Sequence, residues 1–327
     1  LTLSGRASAA APLTYLVGHG EKAYPVVALT WGVAIISISV ILIIALLVLG
    51  GVTRRSGLAM TEPGAKLPVE RPPGGISWIW IGTGLSSLVL VFSVVWTMAV
   101  LARVSAAPTK PALTIEVTGR QWWWQIRYLN DDPTRIFTTA NEIHIPTGVP
   151  VLFRLVGADV IHSFWVPALS GKTDVIPGQV NETWMEARTP GTYDGQCTEY
   201  CGVQHAKMAF RVVAQPPSEF RAWWDHQLTD APPPAAGAAQ RGLAGFTIHC
   251  GACHAVRGTD AAGMLGPDLS HLMTRQTIAA GTLPNTPDQL TKWIADPQGI
   301  KPGAQMQKPE LTDAELADIR TYLTTLN

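Results

Sequence analysis

Cys197-Thr-Glu-Tyr-Cys201-Gly-Val-Gln-His205-Ala-Lys-Met208 is the stretch on which the reading of the chain turns. Two thiols four residues apart, an imidazole four further on and a thioether three beyond that form a soft donor set. Soft sulfur with imidazole selects copper or zinc over magnesium or calcium. Zinc fingers answer one cysteine pair with a second pair, and a thioether is an unusual zinc ligand, so Met208 favours copper. A further donor lies upstream at His162, in Val160-Ile-His-Ser-Phe-Trp-Val-Pro167. Alone on an apolar strand His162 reads as a core histidine bonded to backbone; beside the cysteine loop it reads as a ligand, because an unpaired imidazole there is costly. The competing account of Cys197 and Cys201 is a disulfide of an export compartment. So short a loop needs special geometry for that bond and leaves Glu199, His205 and Met208 with no reason to cluster.

Around this loop, within a domain of residues 104–216, the sequence from Leu113 to about Gln215 reads as strands. Leu113–Val117, Glu142–Ile145, Val151–Leu155 and Phe210–Val213 are short and rich in apolar or β-branched residues. Asp132-Pro133, Thr147-Gly148 and Pro177-Gly178 punctuate them as turns. Many short strands with no intervening helix predict an antiparallel sandwich or barrel.

Towards the N-terminus the charge disappears. No Asp, Glu, Lys or Arg lies between Lys22 and Arg54, or between Arg71 and Arg103. Each stretch exceeds the roughly 20 apolar residues that cross a hydrocarbon layer. These gaps explain a chain of 327 residues with 15% charged and 47% hydrophobic side chains. The first is too long and starts too late to be a cleavable signal peptide. Residues 26–103 are therefore expected to form a transmembrane hairpin. Its loop, 53–75, carries Arg54, Arg55, Lys66 and Arg71 and is placed in the cytoplasm by the positive-inside rule. The segment 1–25 and everything after 103 are then outside. With 24 basic and 24 acidic residues the chain has no net field for nucleic acid.

Towards the C-terminus, a short helix at Ser218–Leu228 leads into Ala231-Pro-Pro-Pro-Ala-Ala-Gly-Ala-Ala-Gln240, a Pro/Ala linker that makes 217–240 a boundary. The remaining residues, 241–327, contain Cys250-Gly-Ala-Cys253-His254. Two thiols three apart can form thioethers to the vinyl groups of heme while the next histidine faces the iron. Alone, the motif also fits a redox dithiol, a zinc site or chance. Gly266-Pro267, Met306 in Lys301-Pro-Gly-Ala-Gln-Met306, and a last helix with a capping box at Thr312 and Glu315 supply context. Met264 and Met273 are rival axial thioethers; Met264 is too near His254 to reach the opposite face easily. His19, His144, His226, His249 and His271 have no motif around them and read as surface or hydrogen-bonded residues.

The hairpin, Gly119-x-Gln121-Trp122-x-Trp124, His162 and the Cys-x-Glu-x-Cys-x3-His-x2-Met loop together resemble subunit II of heme–copper cytochrome c oxidases over nearly all of residues 25–228. Residues 241–327 resemble a class I cytochrome c, so the whole is similar to the caa-type oxidases. The resemblance implies a membrane α-helical hairpin, an all-β cupredoxin-like Greek-key barrel and a small all-α cytochrome c domain. It implies a binuclear CuA centre bridged by Cys197 and Cys201, with His162 and His205 each on one copper, and Met208 and the Glu199 carbonyl completing the shells. The Glu199 side chain would also reach a magnesium ion shared with subunit I. Cys250 and Cys253 would carry heme c, with His254 and Met306 axial to its iron. Trp122 matches the tryptophan where electrons arrive from a donor cytochrome, although three adjacent tryptophans also suit plain packing. Lys172 and Asp174 match a polar pair at the subunit I contact, or form a solvated turn. No acid stands near the start of the second span, where Glu70 lies several residues early, so no proton-uptake residue is carried over. Implied partners are subunits I and III, membrane lipid, and a donor that is cytochrome c or a quinol-oxidising complex. The alternative is the CuA-containing subunit of a nitric oxide reductase-like complex.

Overall fold

The computed structural model describes Leu13 and residues 15–53, 75–107 and 109–327. Arg6, Arg54, Arg55, Lys66, Glu70 and Arg71, and with them most of the loop that sets orientation, lie outside the described residues. The chain divides into two units, residues 25–106 and the remainder.

In the first unit, α1 (Ala23–Thr53) and α2 (Gly75–Ser105) are each long enough and apolar enough to cross a membrane. At about 1.5 Å per residue each exceeds the ~30 Å hydrocarbon layer. Leu46, Leu47, Leu85 and Leu88 are all more than half exposed, the opposite of what a buried core helix shows. The hydroxyls of Thr30, Ser93 and Thr97 donate back to the carbonyls of Val26, Val89 and Ser93 at 2.8–2.9 Å, so they make no demand on water.

The second unit contains a sandwich of two five-stranded sheets. One sheet has the order β3 (Phe137–Ala140), β2 (Trp123–Leu129), β1 (Leu113–Arg120), β5 (Val151–Gly157), β8 (Val180–Met185). The other runs β4 (Glu142–Pro146), β10 (Ala209–Gln215), β9 (Gly191–Cys197), β6 (His162–Trp165), β7 (Thr173–Val175). Strict alternation produces the core: Ile115, Val117, Trp124, Ile126, Phe153, Leu155, Phe210 and Val212 point inward. The cupredoxin-like architecture is as expected, but the antiparallel expectation is corrected. β1 pairs with β5 and β4 with β10 in parallel. The chain crosses between sheets at Asn141, whose left-handed backbone (φ 59°) turns β3 into β4. Its side-chain Oδ1 accepts from Trp124 N at 2.8 Å and fastens the crossing to β2. A strand that changes sheets can come to lie beside one running the same way, which alternation along a single strand does not reveal.

After the sandwich, α3 (Pro217–Gln227) buries Phe220 and Trp224 against Tyr128 and Phe137, closing one end of the barrel. The cytochrome domain follows as α4 (Ala238–His249), α5 (Pro287–Ala295), the single turn α6 (Pro297–Ile300) and α7 (Asp313–Leu323). The capping box at Thr312 and Glu315 forms, and Ile319, Tyr322 and Leu323 face inward. α4 and α7 cross where a Cβ on Gly242 would stand 2.0 Å from the Asp318 carbonyl oxygen, so only glycine permits the approach.

Candidate metal and heme sites

Strand register builds the first site. β6 pairs with β9 so that Phe164 faces Cys197, which sets His162 beside the end of β9. The loop leaves β9 at Cys197, turns at Gly202, and returns through a short helical turn at His205–Lys207 to Met208. The Cys197 amide donates to the Met208 carbonyl at 3.1 Å and closes the loop on itself. A Cβ on Gly119 would stand 2.8 Å from the His162 ring, so that glycine leaves room for the imidazole.

The result is a buried cluster. The ligand atoms of His162, Cys197 and Cys201 all lie within 4.8 Å of one another. The two sulfurs are 3.8 Å apart, well beyond a disulfide bond. His162 Nδ1 is 3.9 Å from Cys197 Sγ, and His205 Nδ1 is 3.5 Å from Cys201 Sγ. Met208 Sδ lies 3.7 Å from Cys201 Sγ, and the Glu199 carbonyl oxygen 3.3 Å from Cys197 Sγ. All six expected donors converge here.

The electrostatics suit a soft cation. Hydrogen bonding with Cys201 outweighs burial and, with His162 and two backbone groups, lowers the Cys197 pKa to about 4. The Cys201 thiol is pushed up by its hydrogen bond to Cys197, by burial, and by the repulsion a second thiolate would meet from the first. A metal cation removes that repulsion. Burial works against protonation of His162, but bonding to Cys197 and Asp159 prevails and raises its pKa.

Sequence reasoning missed two supports. Asp159 Oδ1 is 2.8 Å from His162 Nε2, which fixes the ring with Nδ1 towards the sulfurs. Gln121 Nε2 donates to the Cys201 carbonyl at 2.7 Å. An acid three residues before a histidine is the only signal the sequence offered for the first. Trp122 is half-buried and donates its indole N–H to the same Cys201 carbonyl at 2.9 Å. Lys172 and Asp174 form an exposed ion pair at 3.4 Å, with Ser163 Oγ donating to Asp174 at 2.9 Å.

The second site is in the cytochrome domain. Cys250 ends α4, and Cys253 and His254 follow on the next turn. His254 Nδ1 is 2.8 Å from the Pro267 carbonyl, which leaves Nε2 for a metal. Burial lowers its pKa despite that bond, keeping the imidazole neutral as a ligand must be. A Cβ on Gly266 would stand 2.6 Å from the His254 ring, so that glycine leaves the imidazole its place beside the two thiols. The copper-loop donors suit a soft metal, and His254, oriented beside Cys250 and Cys253, suits a heme-binding motif. Gln298 Nε2 donates to the Met306 carbonyl at 2.8 Å, whereas Met264 is 80% exposed and Met273 packs against the domain core.

Comparison with known proteins agrees. The family described as cytochrome C oxidase subunit II, periplasmic domain, matches residues 127–215, and the cytochrome c family matches 239–327. Cytochrome c oxidase subunit 2 of Bacillus sp. strain PS3 is 32% identical over 255 residues, covering 73% of this chain and 70% of that one. The chain belongs to the cytochrome c oxidase subunit 2 family. The same subunit of Alkalihalophilus pseudofirmus is 40% identical over 65% of this chain, which spans 60% of that relative's length. Among solved structures, the periplasmic domain of subunit II of cytochrome oxidase from Bradyrhizobium japonicum is 34% identical, covering 37% of this chain and 96% of its own, with a TM-score of 0.34. Membership of this oxidase family implies CuA copper in the sandwich and heme in the cytochrome domain.

Proposed function

We propose that the chain is the electron-input subunit of a proton-pumping cytochrome c oxidase. It passes electrons from an external donor, a cytochrome c or a quinol-oxidising complex, through heme c and CuA to the heme of subunit I, where oxygen is reduced to water. The observation that carries this is the convergence of six donors, five from the Cys197–Met208 loop and His162 from β6, in a unit that also holds an oriented heme-binding motif. When bound, the copper pair supplies one-electron storage shared over two metals, so that geometry changes little on reduction.

The chain's own residues supply the rest. Cys197 and Cys201 would hold the copper pair with their thiolates, His162 and His205 with their imidazoles, and Met208 and the Glu199 carbonyl as weaker donors. Asp159 and Gln121 hold that cage rigid, and rigidity keeps reorganisation small. Cys250 and Cys253 would carry the heme, and His254 and Met306 would ligate its iron. Trp122, bonded to a ligand's carbonyl, suits the route by which electrons reach the cage.

The reading extends to the assembly. Residues 26–103 form the two spans in a bacterial-type cytoplasmic membrane, with loop 53–75 inside and residues 1–25 and 104–327 on the outer side. The sandwich (104–216) meets subunit I through Lys172, Asp174 and the Glu199 side chain, the last shared with a magnesium ion, and subunit III completes the complex. Residues 217–240 join it to the cytochrome domain (241–327). One spectrum of the purified complex tests the core of this. A near-infrared copper band together with a c-type α-band is expected, and Cys197→Ser is expected to lose the first and keep the second. A complex that shows neither band is not this oxidase subunit.

A further inference from the structure

The cytochrome domain is docked on the sandwich, and its contact falls on the copper loop. Three successive residues of the loop before Met306 are gripped. Lys207 Nζ donates to the Ile300 carbonyl at 2.6 Å, and Gln204 Nε2 to the Pro302 carbonyl at 2.6 Å. Between them, Lys301 reaches the other way and donates from Nζ to the Trp122 carbonyl at 2.7 Å, with the Ala279 carbonyl at 3.4 Å. Lys301 is only 3% exposed and, among the described residues, has no carboxylate partner, an arrangement that is costly unless its donors are well used. Burial, with Lys207 nearby, lowers its pKa to about 7 against the attraction of Cys201.

A second loop completes the contact. Ala279 and Ala280 both adopt left-handed backbone (φ 53° and 56°), a conformation that residues with a β-carbon rarely take. That turn presents the Ala279 carbonyl to Lys301 and the Ala280 carbonyl to the Ala209 amide at 3.1 Å. Further along, the Gln276 amide donates to Glu142 Oε2 at 2.9 Å, and Arg211 Nη1 to Gln276 Oε1 at 3.0 Å. Backbone strain held at a domain contact is maintained by the surroundings, here by bonds from the partner domain.

We propose that Lys301 is a positioning residue that fastens the methionine loop of the cytochrome domain to Trp122, making this chain's own cytochrome domain the partner that the Trp122 surface receives. The link is short in bonds. Trp122 takes the Lys301 ammonium on its carbonyl and gives its indole N–H to the carbonyl of Cys201, so two hydrogen bonds join the Met306 loop to a copper-loop cysteine. Lys301 moves no electron and no proton; it sets the distance across which one electron passes from reduced heme c to the oxidised copper pair. This rests on the metal reading above only for that last step, because the docking itself is a property of the protein.

The test uses the full chain in its assembled complex, with Lys301→Met and Lys301→Arg. Three quantities are followed: hydrogen exchange at the Ala209 and Gln276 amides, the absorption of both centres, and the rate of the one-electron step after photoreduction of heme c. In Lys301→Met both amides are expected to exchange about tenfold faster, the worth of one charge-assisted hydrogen bond. The one-electron rate is expected to fall in step with both spectra unchanged, and Lys301→Arg, which keeps a cationic donor, to recover part of each. Exchange and rate equal to those of the unsubstituted chain would overturn the proposal. Gln204→Ala loosens the same loop from the sandwich side, and decides the matter by the same readouts if Lys301→Met does not assemble. Absence of both bands in the unsubstituted complex would sink the metal reading instead, and amide exchange would still judge the docking.

Discussion

At the scale of single residues, the ligands are held by groups that are not ligands. Asp159 shows how: one carboxylate oxygen meets His162 Nε2 at 2.8 Å, and the other accepts the Gln121 amide at 2.7 Å. It therefore ties the imidazole to the segment carrying Trp122. Asp159→Asn keeps the shape and removes the charge that raises the ring's basicity. Copper affinity is expected to fall by about 10–100-fold, the usual cost of losing such a support. Competitive titration of the metal checks it, and a shift of less than about twofold would make Asp159 a bystander. The ligands themselves were legible because their chemistry demands particular residue types at particular spacings. Asp159 was not, because an acid near a histidine is common and its meaning depends on where the β6 register aims the ring. Lys301 was illegible for a related reason: its acceptors are main-chain carbonyls, which carry no sequence signature.

At the scale of elements, pattern and partner separate. Alternation along 113–117, 151–155 and 210–213 announces strands and their inward faces, as does the stripe of α7 for its helix. Which strands pair, and in which direction, depends on where the chain changes sheets, as at Asn141, whose left-handed backbone no alternation encodes. α3 was likewise visible as a helix, while its role as the lid over Tyr128 and Phe137 follows only from the packing. The α4–α7 crossing offers a clean measurement at this scale. Any side chain at position 242 meets backbone at 2.0 Å and the Tyr322 Cβ at 2.8 Å, neither of which is the movable end of a long side chain. Arg241 also clasps Asp318 at 2.7 and 2.9 Å beside the contact, which limits sliding. Gly242→Ala is expected to destabilise the cytochrome domain by about 1–3 kcal/mol, the cost of overpacking a tight contact. Thermal melting followed at the heme band checks it, and the near-infrared copper band should be unmoved. Equal stability would mean that the two helices can shift apart freely.

At the scale of the whole molecule, the Pro/Ala stretch and the domain charges bear on one question: how a near-neutral donor domain finds its acceptor. The cytochrome domain has 7 basic and 8 acidic residues and the sandwich 9 and 10, so neither casts a strong field for capture through solution. Linkage replaces capture by raising the local concentration of the donor. The structure adds fixed contacts to linkage. Before the proline run begins, the chain is already bound to the cytochrome domain: Arg257 Nη1 donates to the Leu228 carbonyl at 3.1 Å, and the Ala231 amide to the Arg257 carbonyl at 3.1 Å. On the far side, Lys301, Gln204 and Lys207 all donate to carbonyls, and Arg211 meets an amide side chain. These are ion–dipole and dipole–dipole bonds at short range, three of them partly buried, and mobile salt screens such contacts far less than it screens separated charges. Raising ionic strength from about 0.05 to 0.5 M is therefore expected to change amide exchange at Ala209 and Gln276 by less than about twofold. Delivery of electrons from a separate, lysine-rich cytochrome depends on long-range attraction and should slow over the same range. A docked state that loosens with salt would mean that long-range charge attraction holds the two domains together, and the short, bond-directed contacts would not be what keeps the donor in place.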